Sequence, residues 1–219
     1  MMRHTAIGAA LLAAASLSST DVSAEGSVGL KAGTLGIGIE GTYKISEKWG
    51  IRGGINQFDY SFDDDIDDIT FDGDLELNSI TLLADFRPAG GGFRITGGAV
   101  INNNEVTAVA DPFADYEIGN NTYTLEEVGT LSAVADFDSV APYIGLGYDW
   151  GLGERATISF DLGVLAQGEA AIGIDSTGGT LSNDPALRAD LDIEEEIGVD
   201  DLDELELFPV LSLGFHYRF

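Results

Sequence analysis

The chain has 219 residues, 29 of them glycine, with no cysteine and a formal net charge of −28. Without cysteine it has no disulfide framework and no thiolate metal site. Its acidity excludes nucleic-acid binding, because ten Lys and Arg cannot build the basic surface that counterion release requires. A single domain fits a β protein of this length.

The N-terminus reads as an export signal. Arg3 and His4 precede an apolar run over residues 6–17, and Val22-Ser23-Ala24 puts small residues where a signal peptidase reads them. Cleavage before Glu25, with export through the Sec pathway, leaves residues 25–219 as the mature domain. The run is shorter than the roughly 20 residues of a membrane-spanning helix. No other segment reaches that length, so a membrane-embedded mature chain must cross with strands.

Strand-like alternation follows. Leu35, Ile37, Ile39, Tyr43 and Ile45 share one parity, and Glu40, Thr42 and Lys44 the other. Trp49, Ile51 and Ile55 alternate with Arg52 and Asn56; Ile80, Leu82, Ala84 and Phe86 with Ser79, Thr81 and Asp85. Phe93, Ile95, Ala99 and Ile101 alternate with Arg94, Thr96 and Asn102. Later, Pro142, Ile144, Leu146, Tyr148 and Trp150 alternate with small residues and Asp149. Ile158 through Ala166 alternates with Thr157, Ser159, Asp161 and Gln167, and Leu211 through Phe219 with Ser212, His216 and Arg218. An eighth strand is needed to bring both termini to one side. Residues 27–33 supply it if the chain reverses at Gly33-Thr34-Leu35-Gly36; a single bent strand is the alternative.

A soluble sandwich alternates too, but three details favour an all-β, closed, antiparallel up-and-down transmembrane barrel of eight strands. The polar partners include many Gly, Ser, Thr and Asn, which suit the crowded lumen of a barrel of about eight strands. Tyr43, Trp49, Phe86, Phe93, Tyr148, Trp150, Tyr217 and Phe219 gather near strand ends, as interfacial girdles require. Connections also alternate between short (46–48, 87–92, 150–155) and long (63–70, 111–130, 175–204), the pattern of periplasmic turns and outer loops.

Charge is segregated along this pattern. Lys44, Lys48, Arg52, Arg87, Arg94, Arg155 and Arg218 fall near the expected periplasmic ends, whereas acids fill the outer loops. Asp63, Asp64, Asp65, Asp67 and Asp68 form a candidate cation-binding loop that could bridge divalent ions to lipopolysaccharide phosphates; solvation alone is the plainer account. An EF-hand over 68–79 fails, because Ser79 stands where a bidentate Glu is required. No firm metal site and no cofactor are expected.

Glu40, Lys44, Arg52, Asp85, Arg94, Asp161, His216 and Arg218 have lumen parity and are expected to form an ion-pair network in a filled polar interior. The last loop carries a helix over 185–197. Asp184 caps it, Pro185 starts it, Leu187/Leu191 and Ile193/Ile197 lie four apart, and Gly198 ends it. It is either a lid over the mouth or a projection packed on loop neighbours. In the loop before, Asn120-Asn121 is a hairpin turn between Tyr116 and Tyr123. No catalytic residue is expected: His216 is the only histidine of the mature chain, and no serine stands at the spacing of a lipid A deacylating pair.

The ending Val210-Leu211-Ser212-Leu213-Gly214-Phe215-His216-Tyr217-Arg218-Phe219 resembles the C-terminal signature of outer-membrane β-barrel proteins. Val140-Ala141-Pro142-Tyr143-Ile144-Gly145-Leu146-Gly147 is similar to a strand of small OmpA- and OmpW-like barrels, and with Ala32-Gly33-Thr34-Leu35-Gly36 the mature chain resembles uncharacterised proteobacterial members. The resemblance implies a Gram-negative outer-membrane location and reading of Phe215, Tyr217 and Phe219 by the barrel-assembly machinery. The expected partners are outer-membrane lipid and lipopolysaccharide, with the barrel a monomer. The expected role is structural or surface-interacting and non-enzymatic. A narrow conduit for small or hydrophobic solutes is the alternative, and a lipid-modifying enzyme a third class.

Overall fold

The computed structural model describes residues 26–66, 69–111 and 116–219. The expected export signal over 1–24 lies outside them, as do Asp67 and Asp68; the side chains of Asp63, Asp64 and Asp65 are likewise outside the description.

The wall is a closed antiparallel barrel of eight strands. In order around it stand β1 (Gly26–Gly33), β2 (Gly36–Lys44), β3 (Trp49–Ile66), β4 (Ile69–Phe86), β5 (Phe93–Asn102), β10 (Val140–Leu152), β11 (Ala156–Ala166) and β13 (Leu207–Arg218), which returns to pair with β1. The first strand is separate rather than half of a bent one. The chain reverses at Thr34-Leu35, where Gly36 takes φ +96°, a value that few side-chain-bearing residues adopt. That turn is tied down across the seam: Thr34 N donates to the Leu211 carbonyl (2.9 Å) and Leu211 N to Thr34 Oγ1 (3.1 Å).

Alternation does what period-two strands dictate. Leu30, Ile37, Ile39, Ile55, Leu82, Ile144, Leu162 and Leu213 face outward, exposed by 47–69%. Every aromatic expected near a strand end lies at one rim, beside the short turns and both termini. There Trp49 packs on Phe86 (ring centroids 4.9 Å apart) and Tyr148 on Trp150 (4.8 Å). The girdle made by these residues is therefore one-sided, where two were expected.

The opposite rim departs from the expectation of long loops. β3 and β4 continue well past the barrel, so most of the expected 63–70 loop is strand. β6 (Glu105–Asp111), β9 (Gly129–Asp136) and β12 (Ala171–Gly178) extend the sheet in the order β4-β6-β9-β12. Paired with β4 in succession, β5 and β6 are one strand broken at Asn103-Asn104, where Asn78 N donates to Asn104 Oδ1 (2.9 Å) and Asn103 N to the Asn78 carbonyl (2.9 Å). A small hairpin, β7 (Tyr116–Ile118) with β8 (Asn121–Tyr123), turns at Gly119-Asn120, one residue earlier than expected; Gly119 provides the positive φ.

Two helices cover this platform: the single turn α1 (Leu125–Val128) and α2 (Pro185–Asp201). Asp184 caps α2 by accepting from Ala186 N at 2.8 Å. The helix does not stop at Gly198 but runs to Asp201; a Cβ at Gly198 would sit 2.8 Å from Ile172 Cδ1, so this glycine permits close approach to β12 rather than ending the helix. Leu187 and Leu191 bury themselves with Ala110, Ile118, Tyr123 and Val128, whereas Ile193 and Ile197 stay exposed. The helix thus packs on its loop neighbours β12 and β7.

Candidate functional site

The lumen is layered. Nearest the extended rim, inside the mouth, Leu35, Leu83, Val100, Ala141, Tyr143, Leu165 and Val210 form an apolar plug. Part of the interior is therefore apolar where a polar filling was expected. Leu83, Val100, Tyr143 and Leu165 have inward parity, but they interrupt the polar set rather than belong to it. Tyr143 fits because Gly145 and Gly163 leave its ring room; a Cβ on either would come within 2.4 Å of its hydroxyl.

Below the plug lies a cluster of charges. Arg52, from β3, points Nε at Asp85 (2.8 Å), Nη1 at Glu40 (3.2 Å) and Nη2 at Asp161 (3.0 Å) and Thr96 Oγ1 (3.3 Å). Arg94 of β5 holds both oxygens of Asp161 through Nη2 at 2.8 Å and also donates to Asp149. Register makes this possible: Gly147 pairs with Arg94 on one side and Asp161 on the other. A Cβ at Gly147 would lie 2.7 Å from Arg94 Cζ and Nε, so the guanidinium crosses β10 through the space the glycine leaves. Lys31 adds a bond to Glu40 (3.2 Å), Arg87 one to Asp149 (2.9 Å), and Thr96 donates to Asp85 at 2.7 Å. Lys31, Arg52, Arg87 and Arg94 thus face Glu40, Asp85, Asp149 and Asp161, one carboxylate for each cation. Such matching is what the deep burial of Glu40, Arg52, Asp85, Arg94 and Asp161 demands, since an unmatched charge there is very costly.

Of the expected lumen residues, the strands bring Glu40, Arg52, Asp85, Arg94, Asp161 and His216 together, all nearly inaccessible. Lys44 and Arg218 lie nearer the rim of the short turns, half-buried, in the wall of a cavity they share with Glu40, Arg52, Asp85, Arg94 and His216. Lys31, Arg87, Asp149 and Tyr143 belong to the lumen although sequence reasoning did not single them out; Asp149 already carried inward parity.

His216 Nε2 lies 3.0 Å from Ser159 Oγ and 3.7 Å from Glu40 Oε1. Serine and carboxylate thus approach the same ring nitrogen, while buried Nδ1 has no partner and lies against Gly29, where a Cβ would be 2.5 Å from it. A serine nucleophile needs its histidine oriented through the other nitrogen; this arrangement lacks that. Among the described residues no group of three or more His, Asp or Glu is arranged to hold a metal. On β13, Phe215, Tyr217 and Phe219 face outward, exposed by 51, 48 and 79%, and Arg155 donates to the Tyr217 hydroxyl at 3.2 Å.

The fold matches solved structures. The chain is similar to CarO2 of Acinetobacter baumannii (TM-score 0.58, 22% identity, covering 90% of this chain and 98% of that one) and to CarO of the same organism (TM-score 0.57, 20% identity, covering 89% and 97%). No protein-family model and no curated protein matches the chain. The OmpA- and OmpW-like resemblance therefore stands at the level of the barrel fold.

Proposed function

We propose that this chain is a Gram-negative outer-membrane barrel with a sealed lumen, non-enzymatic, whose role is structural and surface-interacting. One observation carries the reading: the apolar plug and the matched ion cluster occupy successive levels of the same lumen, while the outward face is apolar around the wall. The outward apolar surface calls for hydrocarbon rather than water, and the fold is shared with outer-membrane barrel proteins. A conduit for small solutes would have to break both levels at once.

In this reading the leader is removed after Ala24 following Sec export, the barrel-assembly machinery recognises Phe215, Tyr217 and Phe219, and the barrel acts as a monomer. The extended sheet stands outside the cell. On its β3 strand Phe58, Tyr60 and Phe62 stack in a ladder, centroids 6.3 and 6.2 Å apart, on the parity that faces the lumen lower down. This ladder and the acidic segment 63–68 are the surface offered to neighbours, with divalent cations bridging Asp63, Asp64, Asp65, Asp67 and Asp68 to lipopolysaccharide phosphates. Membrane fractionation followed by heat-modifiable gel migration tests the reading. The processed protein should stay with the detergent-extracted fraction and change mobility on boiling. A processed chain freely soluble without detergent would overturn it.

A further inference from the structure

The platform sheet has two outer edges, and only one is dressed. At β12, Glu195 and Arg188 of α2 bond the backbone of Ile174. At the other edge, the β2 ladder ends where Ile37 faces Gln57, and β3 runs on from Phe58 to Ile66 paired with β4. Among the described residues no strand pairs with the second side of that stretch. A Cβ at Gly38 would lie 2.4 Å from the Ile55 carbonyl oxygen, and one at Gly36 2.6 Å from that of Gln57. The odd residues of β3 therefore aim their carbonyls towards β2. Carried upward, the same alternation turns the N–H and C=O of Asp59, Ser61, Asp63 and Asp65 to the open edge.

The two faces beside this edge differ in chemistry. On the inner face Phe58 and Tyr60 are 40 and 56% exposed and stack with Phe62, with Leu77 and Leu75 opposite them on β4. On the outer face the register sets Asp59 opposite Glu76, Glu76 opposite Glu105, and Glu105 opposite Asp136. These carboxylates make one row across β3, β4, β6 and β9, and all of them are exposed. Asp59 accepts from Gln57 and Glu105 from Thr107, both neutral donors. Like charges directly opposite one another destabilise a sheet, so packing gives no reason for the row.

We propose that the β3 edge is a docking site for an extended segment of another protein, one that alternates basic with apolar residues. Such a segment adds a strand to the sheet. Its backbone meets the open N–H and C=O groups, its apolar side chains lie along the Phe58–Tyr60–Phe62 ladder, and its Lys or Arg face the carboxylate row. A second copy of this chain fits poorly, because pairing two β3 edges sets acids beside acids. The row thus wards off like chains and draws in a basic one. The inference rests on the reading that the platform stands outside the cell, where such a partner has access.

A labelled peptide of about ten residues, alternating lysine with valine, tests it by fluorescence anisotropy with the full mature barrel in phosphatidylcholine nanodiscs. Saturable binding is expected, weakening as salt rises, and none for a peptide alternating glutamate with valine. Ser61→Pro deletes an edge-facing N–H that β4 does not use, a change edge strands tolerate, and should weaken binding by about tenfold. Asp59→Asn with Glu76→Gln should flatten the salt dependence. Hydrogen exchange gives a readout that needs no variant: peptide should slow exchange over 58–66 and leave 171–178 unchanged. No binding would overturn the proposal, as would full binding by Ser61→Pro while it keeps heat-modifiable migration. Dimerisation of the wild type without peptide, abolished by Ser61→Pro, would overturn it in favour of a second copy. Loss of heat-modifiable migration by the wild type would overturn the barrel reading, and the proposal with it.

Discussion

Arg94 reaches Asp161 across the bare backbone of Gly147, its Nη2 2.8 Å from both carboxylate oxygens, so two strands are cross-linked through the strand that separates them. Arg52 grips the same carboxylate from the facing wall at 3.0 Å. Asp161 is therefore the shared counter-ion of two buried guanidiniums.

Asp161→Asn leaves both cations short of a carboxylate inside the barrel. Removing one partner of a buried pair typically costs about 3–5 kcal/mol, and this one serves two. Urea unfolding in lipid vesicles, followed by gel mobility, should show a loss of this size, with Asp175→Asn on the exposed β12 near wild type. Equal stability of the two variants would contradict the role given to Asp161.

The loop platform carries its own titrating pair outside the barrel wall. Tyr123 donates to Asp190 at 2.5 Å, and Asn121 donates to the same oxygen at 2.7 Å. These bonds hold the Asp190 carboxyl below its ordinary range, and the Tyr123 hydroxyl, bonded to that carboxylate and partly desolvated, is pushed up to about 12. A depressed acid contributes stability that is present above the ordinary carboxylate value of about 3.9 and lost as pH falls through its folded value. A raised tyrosine contributes stability present below about 10 and lost as pH rises through about 12. Hydrogen exchange over 117–123 should accelerate at both extremes, and Tyr123→Phe should abolish the alkaline arm. A flat profile in the wild type would refute the pairing.

The platform sheet ends at β12, whose outer edge is dressed by α2. Glu195 accepts from Ile174 N at 2.7 Å and Arg188 donates to the Ile174 carbonyl at 2.6 Å, the two side chains pairing at 2.5 Å. Bare edges invite pairing with other chains, and charged side chains blunt them. Arg188→Ala with Glu195→Ala should cost little stability, under about 1 kcal/mol for an exposed pair, yet promote concentration-dependent self-association in light scattering. A double variant that stays monodisperse at every concentration would show that the edge is guarded by something else.

Much of this architecture can be read from period-two alternation, because a barrel wall has hydrocarbon on one side and a crowded interior on the other. The separate strand over 27–33 follows from the parity shift at Gly33-Gly36, and the inward set Glu40, Arg52, Asp85, Arg94, Asp161 and His216 from parity alone. Which of them touch is a matter of register, which links residues 67 and 109 positions apart and leaves no local trace. The plug was illegible for a related reason: Leu83, Val100 and Leu165 point inward yet are as apolar as their outward-facing neighbours, so alternation of polarity lapses there. β6, β9 and β12 escaped notice because Val106 to Ala110 and Leu131 to Ala135 are small and mostly apolar with little alternation. In the extended β3–β4 hairpin, Asp63, Asp64 and Asp65 mimic loop composition. Gly198 misled because glycine ends helices and also lets them approach a neighbour; only the position of Ile172 distinguishes the two.

The claim on which the rest turns is that the apolar plug and the ion cluster together close the lumen. Single-channel recording of the purified, refolded barrel in a planar bilayer addresses it directly. Insertion without discrete conductance steps, at either polarity and in concentrated salt, is the expected result; reproducible stepwise openings by the wild-type protein would contradict it.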